Sequence, residues 1–376
     1  MGALAVTQGT PSGLSRAGEP LEVWGVRAAS AAMTDGWTES LIDHLDTYAR
    51  YGVNAFTVGY QGSSGGSRQT YAKDGSAIDE GVQRRMERII DAAARRSMLV
   101  VVHTLFRGQR SRFDPGNGPW LADAQSYLRA LELVGKRLAG FENVLINVCG
   151  EHNTGWQTCP YPVGTVEGIV ELCRAVKRGD PDRLIGGGGV HPGQNAVFAT
   201  HPETDVLFFD LNGASAPAVA AYRAAGSIKP LLNVELFGGS AEGFVEESAA
   251  GSGGGIGVPA GIDMTWPGWD TSGKPVPAGR RRIQGVFPEV RAEGRHKSKA
   301  DFLADIEFAA KTPGFSLFGH FPAWYQGPSR DPSFDCRFDL GGAGIRTEPG
   351  IRWYFEALAR ARHLPSAPAA ETGTSA

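Results

Sequence analysis

The chain has 376 residues, which is long enough for one large domain or two ordinary domains with a substantial core. Its 37 lysines and arginines against 40 aspartates and glutamates give a formal net charge of -3, and no basic stripe or charge block is present. These features argue against a nucleic-acid or membrane-surface partner, and a hydrophobic content of 41% excludes wholesale disorder.

The four cysteines have no CxxC spacing, which argues against a structural zinc site and leaves one disulfide open. Residues 1–18 lack the basic and apolar regions of a secretory signal, and no apolar run is long enough to span a bilayer. We therefore expect a cytoplasmic protein with reduced cysteines. The sequence leaves the oligomeric state open.

Strand-like and helix-like segments alternate along most of the chain, judged by apolar runs and by apolar residues at helical spacing. Strands are predicted over residues 21–26, 53–60, 98–105, 143–151, 182–185, 206–211, 231–237 and 315–321. Helices are predicted over residues 37–51, 78–97, 122–138, 166–177, 217–225, 299–311 and 351–362. We expect a flexible segment over 1–18, one domain over 19–363 with a long insertion at 237–298, and a disordered tail over 364–376.

Eight strands that mostly alternate with helices indicate a parallel sheet of the α/β class, and eight such units fit closure into a (β/α)₈ TIM barrel. An open doubly wound sheet is the alternative. It is disfavoured because the first strand–helix junction has no GxGxxG turn. The glycine run at 186–189 could imitate a phosphate cradle, but the sequence shows no helix directly behind it.

Two apolar strands carry a glutamate at their carboxyl ends. Glu235 lies in the run LLNVELF, which Gly238 and Gly239 stop, and Glu151 ends the similar run NVLINVCGE. An unpaired buried carboxylate costs several kcal/mol, so each of these residues needs either a partner or a chemical role. The two glutamates end the fourth and the seventh predicted strand.

The carboxyl ends of the strands of a parallel barrel open on one face, where such barrels place their active sites. Polar and aromatic residues follow several of the predicted strands, and the long insertion adds two tryptophans. The candidate substrate-binding residues are Tyr60, His103, His152, Asn153, His191, Asp210, Asn212, Trp266, Trp269, His320 and Trp324.

Two opposed carboxylates suit the cleavage of a glycosidic bond. The reaction needs a proton for the leaving oxygen and negative charge beside an oxocarbenium-like centre. A carboxylate close enough to attack the anomeric carbon gives retention, whereas room for a water molecule gives inversion. Aromatic faces also stack well on the apolar faces of sugars. We therefore expect a carbohydrate substrate and no cofactor or metal.

The chain resembles the clan A glycoside hydrolases, the cellulase-like barrel glycosidases, over roughly residues 19–358. The resemblance rests on GEPLEVWGVR at 18–27, on His103 in Val-Val-His, and on Trp324 just beyond the last predicted strand. It implies O-glycosyl hydrolysis with retention by double displacement. It also implies that Glu151 is the general acid/base and Glu235 the nucleophile.

The sequence departs from the pattern of the clan at two points. Clan members usually carry Asn immediately before the acid/base, where this chain has Gly150. An aromatic hydroxyl from the sixth strand commonly supports the nucleophile, whereas here that strand ends in Asp210, Leu211 and Asn212. The resemblance therefore does not identify the subfamily.

Two other functions are compatible with such a face. The first is a metal-dependent sugar isomerase or hydrolase, whose divalent-metal ligands would come from a set of histidines and carboxylates. The absence of an HxH or HExxH motif argues against it. The second is a sugar-binding barrel without catalysis, which would need neither glutamate. The residues considered as metal ligands are His103, Glu151, His152, His191, Asp210 and Glu235.

Overall fold

The computed structural model describes residues 2–62, 69–106, 121–152, 159–190, 192–211, 215–237, 243–246, 280–283, 299–320 and 352–362. Its strands are β1 (Leu4–Val6), β2 (Leu14–Arg16), β3 (Glu19–Leu21), β4 (Trp24–Arg27), β5 (Ala55–Gly59), β6 (Leu99–Leu105), β7 (Val144–Cys149), β8 (Ile185–Gly187), β9 (Val206–Phe209), β10 (Leu231–Phe237), β11 (Gly243–Glu246), β12 (Arg280–Ile283) and β13 (Phe315–His320). Its helices are α1 (Asp35–Arg50), α2 (Glu80–Ala94), α3 (Ala124–Leu138), α4 (Val166–Gly179), α5 (Pro192–Thr200), α6 (Ser215–Ala224), α7 (Lys299–Lys311) and α8 (Arg352–Ala361).

Eight parallel strands close into a barrel in the order β4-β5-β6-β7-β8-β9-β10-β13. Each neighbouring pair is parallel, and β13 pairs with β4 to complete the ring. The predicted (β/α)₈ barrel is therefore confirmed, and β7 and β10 are its fourth and seventh strands. No helix in the described part of the chain is long and apolar enough to cross a membrane.

Polar side chains fix where several of the outer helices begin. Asp79 accepts a hydrogen bond from the backbone N–H of Val82 at the start of α2, and Asp123 accepts one from Ser126 in α3. Thr165 does the same for Gly168 in α4. Such N-caps satisfy backbone donors that have no partner within the helix, and each contributes about 1 kcal/mol.

The barrel separates two hydrophobic layers. Side chains of alternate strand residues fill its interior, as Ala55, Leu99 and Val206 do, while their neighbours pack outward against the helices. This alternation is the period-two geometry of a strand. It determines which residues can reach the open end of the barrel.

The amino-terminal segment closes the opposite end of the barrel. The sequence predicts residues 1–18 to be flexible, and this is wrong for residues 2–18, because β1, β2 and β3 form an antiparallel sheet. Leu14 of β2 is fully buried among the inward-facing side chains. The predicted strand 21–26 is accordingly two elements, β3 and β4.

The glycine run at 186–189 has a packing role. A Cβ on Gly186 would lie 1.9 Å from the carbonyl oxygen of Val206, and one on Gly188 would lie 1.4 Å from that of Phe208. Helix α5, which the sequence analysis does not predict, begins shortly behind the run, and Asn195 of α5 bonds both backbone groups of Gly189. The glycines thus allow the backbones of β8 and β9 to approach closely.

Two further predictions concern residues that the structure describes in part or not at all. The tail at 364–376 lies wholly outside them. Of the insertion at 237–298, the structure describes the antiparallel pair β11 and β12 and, at its start, the last residue of β10. Cys149, Cys159 and Cys173 are free thiols, and Cys336 lies outside the described residues.

Arg183 fastens the end of α3 to the start of the fourth barrel strand. Its guanidinium donates to the carbonyl oxygens of Leu138, Phe141 and Val144 at 2.5, 2.7 and 2.8 Å. Nε donates to Asp180 at 2.8 Å, and both partners of this ion pair are buried. The strand that leads to Glu151 is thereby held at its base.

We predict that Arg183→Ala lowers the free energy of unfolding by about 3 kcal/mol, because it leaves the buried Asp180 without its cation. Arg178→Ala is the matched control, since Arg178 pairs with Glu132 on the exposed surface, and it should cost less than about 1 kcal/mol. Chemical denaturation of both variants provides the measurement. Equal losses in the two variants would contradict this role for Arg183.

Candidate active site

Four titratable side chains lie at the carboxyl end of the barrel, above the apolar residues that fill its interior. Arg27 ends β4, His103 lies in β6, Asp210 follows β9 and Glu235 lies in β10. All four are buried, with 3 to 8% of each residue exposed. Arg27, His103 and Asp210 have the inward parity of Val23, Val101 and Phe208 in their own strands. These residues form the candidate site.

Glu235 reaches the site through an irregularity of its strand. Leu232 and Val234 face the barrel interior and Leu231 faces the helices, so strict alternation would direct Glu235 outward. The pairing with β13 shifts between Asn233 and Leu236, where β10 holds one residue more than its partner. Such a bulge redirects a side chain, and this one brings Glu235 to Arg27.

The side chain of Asn233 fixes this part of β10. Its Oδ1 accepts from the backbone N–H of Glu235 at 3.3 Å and from that of Leu211 at 3.2 Å. Its Nδ2 donates to the carbonyl oxygen of Leu211 at 3.0 Å and to Ser215 Oγ at 3.2 Å. One buried amide therefore ties the strand that carries Glu235 to the segment directly after Asp210.

Arg27 supplies the positive charge of the site. Its Nη1 donates to Glu235 Oε2 in a buried ion pair and lies 3.8 Å from Asp210 Oδ1. Burial acts to lower the pKa of Arg27, but the surrounding carboxyl groups, Glu235 first among them, outweigh it and raise the pKa, so the guanidinium stays charged. The sequence analysis did not single out Arg27. A lone arginine at the end of an otherwise apolar strand was the feature of the sequence that could have identified it.

Glu151 lies two residues beyond β7, in a turn. Its φ of 47° is in the left-handed region, which is uncommon for a residue other than glycine and costs free energy. Its backbone N–H donates to Asp210 Oδ2 at 2.9 Å, which holds the turn in place. Glu151 itself is half-buried, in contrast to the buried Glu235.

Asp210 lies between the two glutamates. Burial raises its pKa well above the ordinary value, the negative charges of Glu235 and Glu151 raise it further, and the Arg27 guanidinium opposes them. Oδ2 accepts the N–H of Glu151, whereas the buried Oδ1 has no hydrogen-bond partner among the described residues. Asp210 therefore contacts the turn that carries Glu151 and lies beside the ion pair of Glu235.

His103 is a neutral imidazole within the site. Burial and the Arg27 guanidinium lower its pKa to about 3, although Glu235 acts in the opposite direction. Its Nε2 lies 3.4 Å from Asn147 Nδ2. A Cβ added at Gly150 would lie only 3.0 Å from Nδ1 of the ring. The imidazole thus occupies space that a larger residue before Glu151 would need.

The structure corrects two of the predicted substrate-binding residues. Tyr60 is fully buried, has the outward parity of β5, and donates its hydroxyl to Gln83 of α2 at 2.9 Å. His152 is also fully buried; its Nδ1 lies 3.3 Å from the carbonyl oxygen of Val163, and its ring packs edge-on against Phe198. Both side chains belong to the layer between barrel and helices.

The other predicted site residues lie mostly outside the described part of the chain. His320 is the last residue of β13 and pairs in register with Phe237 at the end of β10. The described residues hold no group of three His, Cys, Asp or Glu arranged to bind a metal. The predicted residues outside the description are Asn153, His191, Asn212, Trp266, Trp269 and Trp324.

We predict that His103 makes stability depend on pH. The folded-state pKa of about 3 lies below the ordinary value of 6.5, so the unfolded chain takes up the proton first as the pH falls. The contribution to stability is complete above pH 6.5 and is lost towards pH 3, by about 1.4 kcal/mol per pH unit. Denaturation of the protein and of His103→Gln across this range should give diverging curves. Parallel curves would show that His103 is not held neutral.

No family model matches the sequence, and no curated protein matches it. Solved structures do resemble it. A family 5 glycoside hydrolase from Bacteroides vulgatus has a TM-score of 0.56 and 12% identity, over 94% of this chain and 68% of that one. A GH5_18 protein from Streptomyces cattleya, solved in complex with GlcNAc, has a TM-score of 0.50 and 15% identity, over 92% and 82% of the two chains.

A second Bacteroides vulgatus protein, provisionally described as a glycoside hydrolase, has a TM-score of 0.57 and 15% identity over 98% of this chain. This chain spans 62% of the length of that protein. At these identities the likeness is one of fold, and the subfamily is not identified. The chain has a closed (β/α)₈ barrel, and these glycoside hydrolase structures share its fold.

Proposed function

We propose that this protein is a glycoside hydrolase that acts with retention, with Glu235 as the nucleophile and Glu151 as the general acid/base. The observation that carries the proposal is the buried ion pair between Glu235 and Arg27 at the carboxyl end of the barrel. A carboxylate in this position has its negative charge stabilised without being neutralised. That is the state a nucleophile requires.

The first step would form a glycosyl-enzyme ester. A carboxylate oxygen of Glu235 attacks the anomeric carbon while the bond from that carbon to the leaving oxygen breaks. The proton of Glu151 passes to the leaving oxygen, so the aglycone departs as an alcohol and Glu151 becomes a carboxylate. One carboxylate charge is consumed in the ester and one appears on Glu151, so the net charge beside Arg27 is unchanged.

The second step would reverse these roles. Glu151 takes a proton from a water molecule, whose oxygen attacks the anomeric carbon on the face that the aglycone left. The ester bond breaks and Glu235 returns as a carboxylate. Two inversions at the same carbon give net retention, and no metal or cofactor enters either step.

The different surroundings of the two glutamates support this division of roles. Glu235 is buried against a guanidinium, whereas the half-buried Glu151 is fixed through its backbone and is more accessible to an aglycone or a water molecule. The neutral imidazole of His103 has one donor and one acceptor nitrogen, which suits a hydrogen bond with a sugar hydroxyl. Because it is uncharged, it adds no second positive charge beside Glu235. The proposed substrate is therefore a glycoside or a saccharide chain.

The nucleophile is tested by Glu235→Ala on a panel of aryl glycosides. We predict that kcat falls by at least about 10³-fold, because the residue that forms the intermediate is gone. Azide, which fits the space left by the carboxylate, should restore turnover and give a glycosyl azide of inverted configuration, measurable by NMR. Glu171→Ala, on the exposed surface of α4, is the control and should keep wild-type activity. Near wild-type activity of Glu235→Ala would exclude the assignment.

The acid/base is tested by Glu151→Ala with aryl glycosides whose phenols differ in acidity. Substrates with strongly acidic phenols should still form the intermediate, because their leaving oxygen needs no proton. Poor leaving groups should lose about 10²-fold or more in kcat/KM. A loss of equal size across the series would contradict proton donation by Glu151.

Inactivation of the wild type by EDTA, with recovery on adding a divalent ion, would instead favour a metal-dependent reaction.

A further inference from the structure

Asp210 is a third carboxyl group in the site, and the double displacement described above does not use it. It follows β9, its side chain faces the interior, and 3% of the residue is exposed. Its two oxygens have different surroundings. Oδ2 accepts the backbone N–H of Glu151 at 2.9 Å, and Oδ1 lies 3.8 Å from the Arg27 nitrogen that donates to Glu235.

The environment of Oδ1 is unfavourable for an ionised carboxylate. This oxygen is buried and has no hydrogen-bond partner among the described residues. The nearest cation, Arg27, is in direct contact with Glu235 and lies beyond hydrogen-bond distance of Asp210. A buried carboxylate with one oxygen unpaired is costly when it is ionised, and the same group costs less when it is protonated and neutral.

We propose that Asp210 is a positioning residue that works in its neutral, protonated form, holding the backbone of Glu151 through Oδ2 and leaving Arg27 to Glu235. The inference rests on the proposed roles of the two glutamates and extends them. In the neutral form, a single cation faces a single nucleophile. The same side chain keeps the turn that carries the acid/base in its left-handed conformation.

The charges around Asp210 support this protonation state. Burial favours the neutral form most, and Glu235 on β10 and Glu151 after β7 add to it. Arg27 on β4 opposes them, and the pKa lies well above the ordinary value of 3.8. The nearby Cys149 and His103 add no charge at neutral pH, because burial raises the pKa of the thiol and lowers that of the imidazole.

Ionisation of Asp210 would disturb both the ion pair of Glu235 and proton donation by Glu151. A second carboxylate beside Arg27 would compete with Glu235 for the guanidinium, and it would repel the negative charge that develops on Glu151 as that residue gives up its proton. We therefore expect activity to fall as the pH rises through the pKa of Asp210. Below that pKa the carboxyl acts only as a hydrogen-bond acceptor and a spacer.

The experiment compares Asp210→Asn with Asp210→Ala. The asparagine has the shape of a protonated carboxyl and can still accept the N–H of Glu151, but it cannot ionise. We expect Asp210→Ala to lose on the order of 10²-fold in kcat, because the turn is released. Asp210→Asn should lose far less, and the alkaline limb of its kcat/KM profile should lie at higher pH than that of the wild type.

Asp205→Asn is the matched control. Asp205 lies at the other end of the same strand, and it too accepts a backbone N–H, from Ile185 at 3.1 Å. Its replacement should leave the pH profile unchanged. If Asp210→Asn is as inactive as Asp210→Ala, the charge of Asp210 is required and the proposal is overturned. An alkaline limb in Asp210→Asn that is identical to that of the wild type would also overturn it.

Infrared spectroscopy tests the protonation state without using activity. At neutral pH the wild type should show the carbonyl stretch of a protonated carboxyl that is missing in Asp210→Asn, even if Asp210→Ala fails to fold. If the band is present and no glycoside is cleaved, the proposed function fails while the state assigned to Asp210 stands. If glycosides are cleaved through Glu235 and the band is absent, the inference fails alone.

Discussion

The guanidinium of Arg27 is the charge on which the arrangement of the site depends. Two carboxyl groups, those of Glu235 and Asp210, are buried beside it at the carboxyl end of the barrel. Without that cation, each ionised carboxylate would have to be stabilised in a region from which water is largely excluded. The same charge helps to keep His103 neutral. One residue at the end of the first barrel strand therefore acts on titratable groups from three other strands, stabilising the charge of Glu235 and disfavouring that of His103.

Two local backbone features bring the glutamates to this cation. The extra residue in β10 turns Glu235 from the helix-facing side to the interior, and Asn233 holds the strand in that form. Glu151 has a left-handed φ after β7, and Asp210 binds its N–H. Backbone conformations of this kind are found where the surrounding structure enforces them, often at functional sites. Asn233 bonds the segment after β9, and Asp210 in that same segment bonds the turn after β7, so the positions of the two glutamates are coupled through it.

The sequence was sufficient to predict the barrel, because apolar runs and helical spacing report burial directly. It also led to Glu151, Glu235, His103 and Asp210, since a polar residue after an apolar run is conspicuous. The direction in which a side chain points was harder to predict from the sequence. The strand that carries Tyr60 is apolar on both faces, so its pattern does not reveal that Tyr60 points to the helices, and the extra residue in β10 has no visible signature. Arg27 was missed, although a lone arginine after an apolar strand is the same kind of signal.

The proposed mechanism depends above all on Glu235 as the carboxylate that bonds to the sugar. Incubation with a panel of 2-deoxy-2-fluoro glycosides that carry good leaving groups, followed by peptide mass spectrometry, tests it most directly, because the fluorine slows hydrolysis of the ester. We predict one fluorosugar per chain, attached to Glu235, and no labelling of Glu235→Gln. A sugar ester on Asp210 or Glu151, or turnover of natural glycosides with inverted products and no label, would contradict it.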